Sequence, residues 1–286
     1  MRWLRALGWM VGLFLGLGVL FGLAVGGLSF VVRAARGGPM TIATGWIGVG
    51  VMAVSLAIVV AAYLLAVRLG EDRRASEFAA ARLLPEWLAG LGVGGVLMAV
   101  SVGVMAFAGF VTVRPVPASA IASAITNTIQ SGILEELLFR LVVFRLLWRA
   151  AGPWWALALS ALLFGGLHLT NPNASPFAAV CIAFEAGILL GAFYMLTGRI
   201  WASIGVHMGW NFTQGWIFGA AVSGTDGFAG GPLTTTPKAA VADWLDGGRF
   251  GPEAALPALL ICTAAGLWVL RRAWLAGQFG ERSPAG

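Results

Sequence analysis

The chain of 286 residues is poor in charge, in cysteine and in histidine. Only 10% of its residues are Asp, Glu, Lys or Arg, whereas 59% are hydrophobic, and soluble domains of this size do not have such a composition. The two cysteines, Cys181 and Cys262, lie in apolar blocks without CxxC spacing, which excludes a disulfide framework and a thiolate metal site. The GxSxG and HExxH patterns of serine hydrolases and zincin-type metalloproteases are also missing.

Long apolar blocks make up most of the chain. A helix needs roughly 20 apolar residues to cross a hydrocarbon core of about 30 Å. The apolar blocks of this chain therefore predict an all-α protein. We expect a polytopic transmembrane helical bundle of about eight helices that forms a single membrane domain over residues 1–286. The first block is too long for the apolar part of a signal peptide, so we expect it to be retained. The eight blocks run approximately over residues 7–32, 42–67, 88–113, 118–148, 154–169, 177–196, 200–221 and 254–270.

The basic residues predict the orientation of these helices. If the N-terminus is cytoplasmic, twelve of the 18 basic residues lie on the cytoplasmic side and five on the outer side. Because cytoplasmic loops are enriched in Lys and Arg, we expect both termini in the cytoplasm and the protein in a bacterial cytoplasmic membrane. The net charge of +6 is dispersed, which favours the lipid bilayer and not nucleic acid as a partner. The twelve basic residues predicted on the cytoplasmic side are Arg2, Arg5, Arg68, Arg73, Arg74, Arg82, Arg145, Arg149, Arg199, Arg271, Arg272 and Arg282.

The fourth block contains three charged residues within "GILEELLFRLVVF", namely Glu135, Glu136 and Arg140. Each charge at the bilayer centre costs roughly 2.5 to 3.5 kcal/mol, so all three need partners or water. Glu136 and Arg140 are four residues apart and can form an ion pair, which on its own would be consistent with a purely structural role. Glu135 lies on another line of the helix with Ser131 and Thr128, where it could border a water-filled cleft and take up a proton.

The sequence has two histidines, His168 and His207, and both lie in apolar blocks beside other polar residues. His168 follows Phe164 by one helical turn and is followed by Asn171, while His207 precedes Asn211 by one turn. A single such histidine is more often a packing residue. Together, a carboxylate and an imidazole can activate water, while a second imidazole and an amide can stabilise an oxyanion. This combination favours hydrolysis without a nucleophilic serine.

Three motifs stand in order on successive core blocks: E-E-x-x-x-R from Glu135 to Arg140, F-x-x-x-H from Phe164 to His168, and H-x-x-x-N from His207 to Asn211. This ordered set resembles the CPBP family, which comprises CAAX proteases and bacteriocin-processing enzymes and is sometimes labelled Abi. The resemblance covers a catalytic core of about residues 118–221. It implies an intramembrane endopeptidase that acts on a peptide or protein substrate.

The resemblance also implies roles for individual residues. Glu135 would be the general base that activates water, with His168 assisting, and His207 and Asn211 would stabilise the oxyanion. The supporting residues would be Glu136, Arg140, Phe164 and Asn171.

The cofactor and the function class both remain open at this level. The family has also been called a metalloprotease family, and zinc could be held by Glu135, His168 and His207, although the motifs favour a metal-free mechanism. A proton-coupled membrane transporter and a non-catalytic membrane scaffold are the alternatives to a protease. A further membrane carboxylate, Glu185, lies outside the motifs and has no assigned role.

Overall fold

The computed structural model describes residues 2–37, 41–119 and 121–280, with side chains from residue 6 onward. The predicted cytoplasmic Arg282 lies outside these residues, as do the side chains of Arg2 and Arg5.

The described chain folds into eight helical rods, one for each predicted block. The prediction of a helical membrane bundle is confirmed. Their bounds are α1 Arg2–Arg36, α2 Gly45–Gly70, α3 Leu83–Phe107, α4 121–151, α5 Pro153–Leu167, α6 Pro176–Thr197, α7 201–217 and α8 Leu256–Leu275. Single 3-10 turns lie at Ser76–Phe78, Ala80–Arg82, His168–Thr170 and Pro252–Ala254, and one helical turn lies at Asp243–Asp246.

By length and hydropathy, six helices of the described chain can cross a membrane. They are α1, α2, α3 with the turns that precede it, α5 with the turn that follows it, α6 and α8. The two others, α4 and α7, are the helices that carry charged and polar motif residues. Their central parts, residues 136–146 and 202–211, are buried, so protein and not lipid surrounds these polar side chains.

Two segments differ from the predicted blocks. The third block was expected to run to residue 113, but α3 ends at Phe107 because Gly109 takes a φ of +75°. The following residues form strand β1, Val111–Pro115, which pairs antiparallel with strand β2, Leu233–Pro237. This small sheet lies at the end of the bundle where α7 ends and α8 begins.

Helices α3 and α7 pack with their backbones in close contact through glycines. A Cβ on Gly94 of α3 would lie 2.0 Å from the carbonyl oxygen of Val206, and one on Gly209 of α7 would lie 2.2 Å from that of Leu91. Small residues four apart allow this approach within a membrane. The contact fixes the height and rotation of α7, and therefore the position of His207.

A cluster of charged side chains joins the connection between α2 and α3 to the C-terminal end of α4. The carboxylate of Glu71 accepts hydrogen bonds from Arg145 at 2.6 and 2.7 Å and from Arg149 at 2.7 Å. Glu77 is fully buried and accepts hydrogen bonds from Arg73 and from the Tyr63 hydroxyl. Burial acts to raise the pKa of Glu71, but the hydrogen bonds and charges of Arg145 and Arg73 outweigh it and lower the pKa to about 2.

Candidate active site

Much of α4 is wound as a π-helix rather than an α-helix. The π-helical parts are Ser131–Glu135 and Leu137–Phe144, on either side of Glu136. Similar π-helical segments occur in α6 at Ala183–Ile188 and in α7 at Thr213–Ile217. Such segments are uncommon and are often found at functional sites, and here they surround the three motifs.

The predicted ion pair between Glu136 and Arg140 forms within α4. Arg140 Nε lies 3.1 Å from Glu136 Oε2, and both side chains are buried. The guanidinium also donates to the Ala186 carbonyl of α6 at 2.9 Å and lies 4.9 Å above the Phe164 ring of α5. Arg140 therefore balances a buried carboxylate and joins α4 to two neighbouring helices.

His207 lies between the two adjacent carboxylates. Its Nδ1 is 2.9 Å from Glu136 Oε1 and its Nε2 is 3.9 Å from Glu135 Oε2. Because an ionised carboxylate only accepts, the Nδ1–H donates to Glu136. The side chain of Glu135 is 32% exposed, whereas that of Glu136 is fully buried. The two carboxylates thus face different surroundings, as their helical spacing predicted, and Glu135 is the one that water reaches.

His168 occupies the 3-10 turn that ends α5. Its Nδ1 lies 2.7 Å from the Phe164 carbonyl oxygen, which can only accept, so Nδ1 carries the hydrogen. In the neutral ring, Nε2 then keeps its lone pair and can accept a proton or a hydrogen bond. The Phe164 ring lies between both imidazoles, with centroid distances of 4.8 Å to His168 and 6.3 Å to His207.

Asn211 joins α7 to α4. Its amide Nδ2 donates to Ser131 Oγ at 2.9 Å, and Ser131 in turn donates to the Asn127 carbonyl at 3.0 Å. Helix α4 therefore fixes the plane of the Asn211 amide through Ser131, which lies one helical turn before Glu135. Asn171 lies just beyond His168, where its backbone N–H donates to the His168 carbonyl at 3.1 Å.

One small cavity brings most of these residues together. Water centres can occupy about 30 Å³ of it, which is enough for one or two waters. Of the predicted catalytic residues, His168, His207 and Asn211 line it and Glu135 does not. Of the predicted supporting residues, Phe164 lines it, whereas Glu136, Arg140 and Asn171 do not. Glu135 is connected to the residues that line the cavity through its contact with His207. The lining includes Phe164, His168, His207, Asn211, Ser223 and Glu253.

Two lining residues, Ser223 and Glu253, belong to no motif. The sequence around Ser223, "SGTDG", reads as a turn, and the structure has a turn there, closed by pairing of Val222 with Thr225. Both the N–H and the hydroxyl of Ser223 donate to Glu253 Oε1, at 2.5 and 2.8 Å. A lone Glu in a loop gives no sequence pattern that could have identified it. Glu185 lies in α6 near the cavity wall, fully buried.

The sequence left zinc open as a cofactor, with Glu135, His168 and His207 as its ligands. In the part of the chain that the structure describes, no group of three or more His, Cys, Asp or Glu side chains is spaced to hold a metal ion. No step below passes through a metal.

Comparison with known proteins agrees with the motifs. Residues 117–213 match the family described as Type II CAAX prenyl endopeptidase Rce1-like, which belongs to the CPBP family. The matched segment contains all three motifs and lies almost entirely within the predicted core. No curated protein and no solved structure matches the chain. The family supports an intramembrane endopeptidase with a protein or peptide substrate, and the apolar helices support an integral membrane protein.

Proposed function

We propose that this chain, whose residues 117–213 match the Rce1-like endopeptidase family, hydrolyses a peptide bond with a water activated by Glu135. The observation that carries the proposal is the position of His207 between Glu135 and Glu136, beside a cavity shared with His168 and Asn211. Residues of the second and third motifs thus line one space large enough for water, and Glu135 of the first motif contacts His207 in its wall. A hydrolase needs this convergence, whereas a conduction path needs polar groups along a route.

The charges around His207 favour a protonated ring. Glu135 and Glu136 supply two negative charges and Arg140 supplies one positive charge, so an imidazolium at His207 makes the group neutral. A buried group with an uncompensated charge would be costly. The imidazolium donates from Nδ1 to Glu136 and leaves its Nε2–H as a charged donor near Glu135. Such a donor is suited to an oxyanion, and the Asn211 amide supplies a second donor.

Hydrolysis then needs one proton to move twice. Glu135 takes a proton from water while His168 Nε2 accepts a hydrogen bond from the same water, and the water oxygen bonds to the peptide carbonyl carbon. His207 and Asn211 stabilise the oxyanion of the tetrahedral intermediate. When the carbon–nitrogen bond breaks, Glu135 returns the proton to the leaving amine. Glu136 and Arg140 hold His207 and α4 in place throughout.

The substrate in this proposal is a peptide or protein segment that reaches the cavity from the membrane. The proposal also includes a bacterial cytoplasmic membrane as the location and an orientation with both termini in the cytoplasm, and the distribution of the arginines supports that orientation.

The test compares Glu135→Gln with the unaltered protein, purified and reconstituted in lipid nanodiscs. The probes are quenched fluorescent peptides that end in a cysteine, with and without a prenyl group on it, together with an unmodified apolar peptide library. Removal of the base should lower kcat by about 10²-fold or more. Glu86→Gln is the control, because Glu86 pairs with Arg199 away from the cavity, and it should retain activity.

Full activity of folded Glu135→Gln would refute the mechanism. If the unaltered protein cleaves none of the probes, a non-catalytic scaffold or a transporter becomes the better hypothesis for its function.

A further inference from the structure

Three outer segments meet beside the cavity. They are the turn after His168, the turn after α7 and the segment before α8. The Gly224 N–H donates to the Phe250 carbonyl at 2.8 Å, and a Cβ on Gly224 would lie only 1.8 Å from the Pro172 carbonyl oxygen. Gly224 also has a φ of +79°, which glycine adopts readily. Only glycine allows the three segments to approach so closely, and their contact places Ser223 and Glu253 near His168.

Ser223 is held in an unusual conformation by its bonds to Glu253. Its φ of +49° lies in the left-handed region, where a non-glycine residue costs on the order of 1 kcal/mol or more. In this conformation both its N–H and its hydroxyl point at one oxygen, Glu253 Oε1. The backbone strain therefore fixes the direction of a carboxylate that is only 2% exposed.

The surroundings of Glu253 show what this carboxylate faces. Burial raises the pKa of Glu253, while the hydrogen bonds from Ser223 and the charge of His168 act in the opposite direction. The other ionisable groups that interact with it electrostatically are Glu185 and Cys181 of α6. His168 is thus the one group in this set that favours a negative charge on Glu253 when it is itself positive.

We propose that Glu253 is a positioning residue of the active site, which acts through His168 and lies outside the family segment 117–213. This inference rests on the proposed function. The carboxylate, fixed by Ser223, lines the same cavity as His168, whose Nδ1–H is already bound to the Phe164 carbonyl. As Nε2 accepts a hydrogen bond from the reacting water, positive charge accumulates on the ring, and Glu253 stabilises it across the cavity. The residue touches neither water nor substrate in this role.

The test uses Glu253→Gln, because glutamine keeps an oxygen that accepts both bonds from Ser223 but lacks the charge. We expect kcat to fall about tenfold or more with KM and the melting temperature unchanged, a smaller loss than for a directly bonded His–Asp pair. The control is Asp246→Asn. Asp246 is equally buried in the same outer segment and accepts the Gly248 N–H at 2.8 Å, but it does not line the cavity, so its substitution should leave kcat unchanged.

A folded Glu253→Gln protein with the kcat of the unaltered protein would overturn the inference. If that variant does not fold, Ser223→Gly replaces it, because glycine takes the left-handed φ without strain and lacks the hydroxyl, so the direction of the Glu253 carboxylate is no longer fixed. Here a lower kcat at constant KM is expected, and an unchanged kcat would overturn the inference. Glu135→Gln is assayed in parallel. If it is inactive while Glu253→Gln is normal, only the positioning role fails, whereas an active Glu135→Gln removes the proposed function itself.

Discussion

Substitution of Gly94 by alanine tests the close contact between α3 and α7. The new Cβ would lie 2.0 Å from the Val206 carbonyl oxygen, against 3.4 Å or more for an ordinary contact. A helical carbonyl cannot rotate away, so the two helix axes must move apart by about 1 Å, a shift we estimate from this shortfall. Overpacking of this kind lowers the free energy of unfolding by about 1 to 3 kcal/mol. The better helix propensity of alanine offsets up to about 1 kcal/mol of this loss. We expect a net loss of about 1 to 2 kcal/mol in the free energy of unfolding.

The same shift should reduce catalysis more than stability. Helix α7 carries His207 and Asn211, and a displacement of about 1 Å at catalytic groups costs on the order of 10²-fold in rate. Gly92→Ala is the matched control, because a Cβ on Gly92 of the same helix meets no atom within 4 Å. The measurements are denaturant titration in mixed micelles and peptide cleavage in nanodiscs. If Gly94→Ala is as stable and as active as Gly92→Ala, the close contact does not position α7 and the reasoning is wrong.

Two further predictions concern acid stability and metal dependence. Arg145 and Arg73 lower the pKa of Glu71 from 4.5 to about 2, so Glu71 contributes stability above about pH 4.5 that is lost as the pH falls towards 2. Melting temperatures across this range should fall less steeply for Glu71→Gln than for the unaltered protein, and parallel curves would contradict the assignment. Chelation by EDTA or phenanthroline should leave peptide cleavage intact, since Glu135, His168 and His207 are not spaced as ligands. A loss of activity that zinc restores would instead establish a metal mechanism.

The helices could be predicted from the sequence because hydropathy is a property of each block alone. Their ends could not, since the end of α3 depends on Gly109 and on the pairing of β1 with β2, whose residues are far apart in the chain. The π-helical winding of α4 was also missed. Helical spacing of four residues indicated the Glu136–Arg140 pair, and that pair forms despite the different winding.

Site residues could be proposed from the sequence only where a motif repeats a known pattern. The resemblance identified His168, His207 and Asn211, which line one cavity, and Glu135, which lies beside it. Glu253 could not be predicted, because its place in the cavity wall depends on contacts among three distant segments. Neither could the bond of His168 to the Phe164 carbonyl, which sets its tautomer, since helical spacing alone does not fix a ring orientation.

The wall formed by Ser223 and Glu253 has a consequence for the synthesis of the protein. A ribosome produces the chain from its N-terminus, so α3, α4 and α5 are inserted before α7 can pack against them. Glu253 directly precedes α8 and emerges after all three motifs. The cavity therefore remains open on one side for most of translation. A chain that stalls after α7 carries every motif residue and still lacks the side of the cavity that Ser223 and Glu253 form.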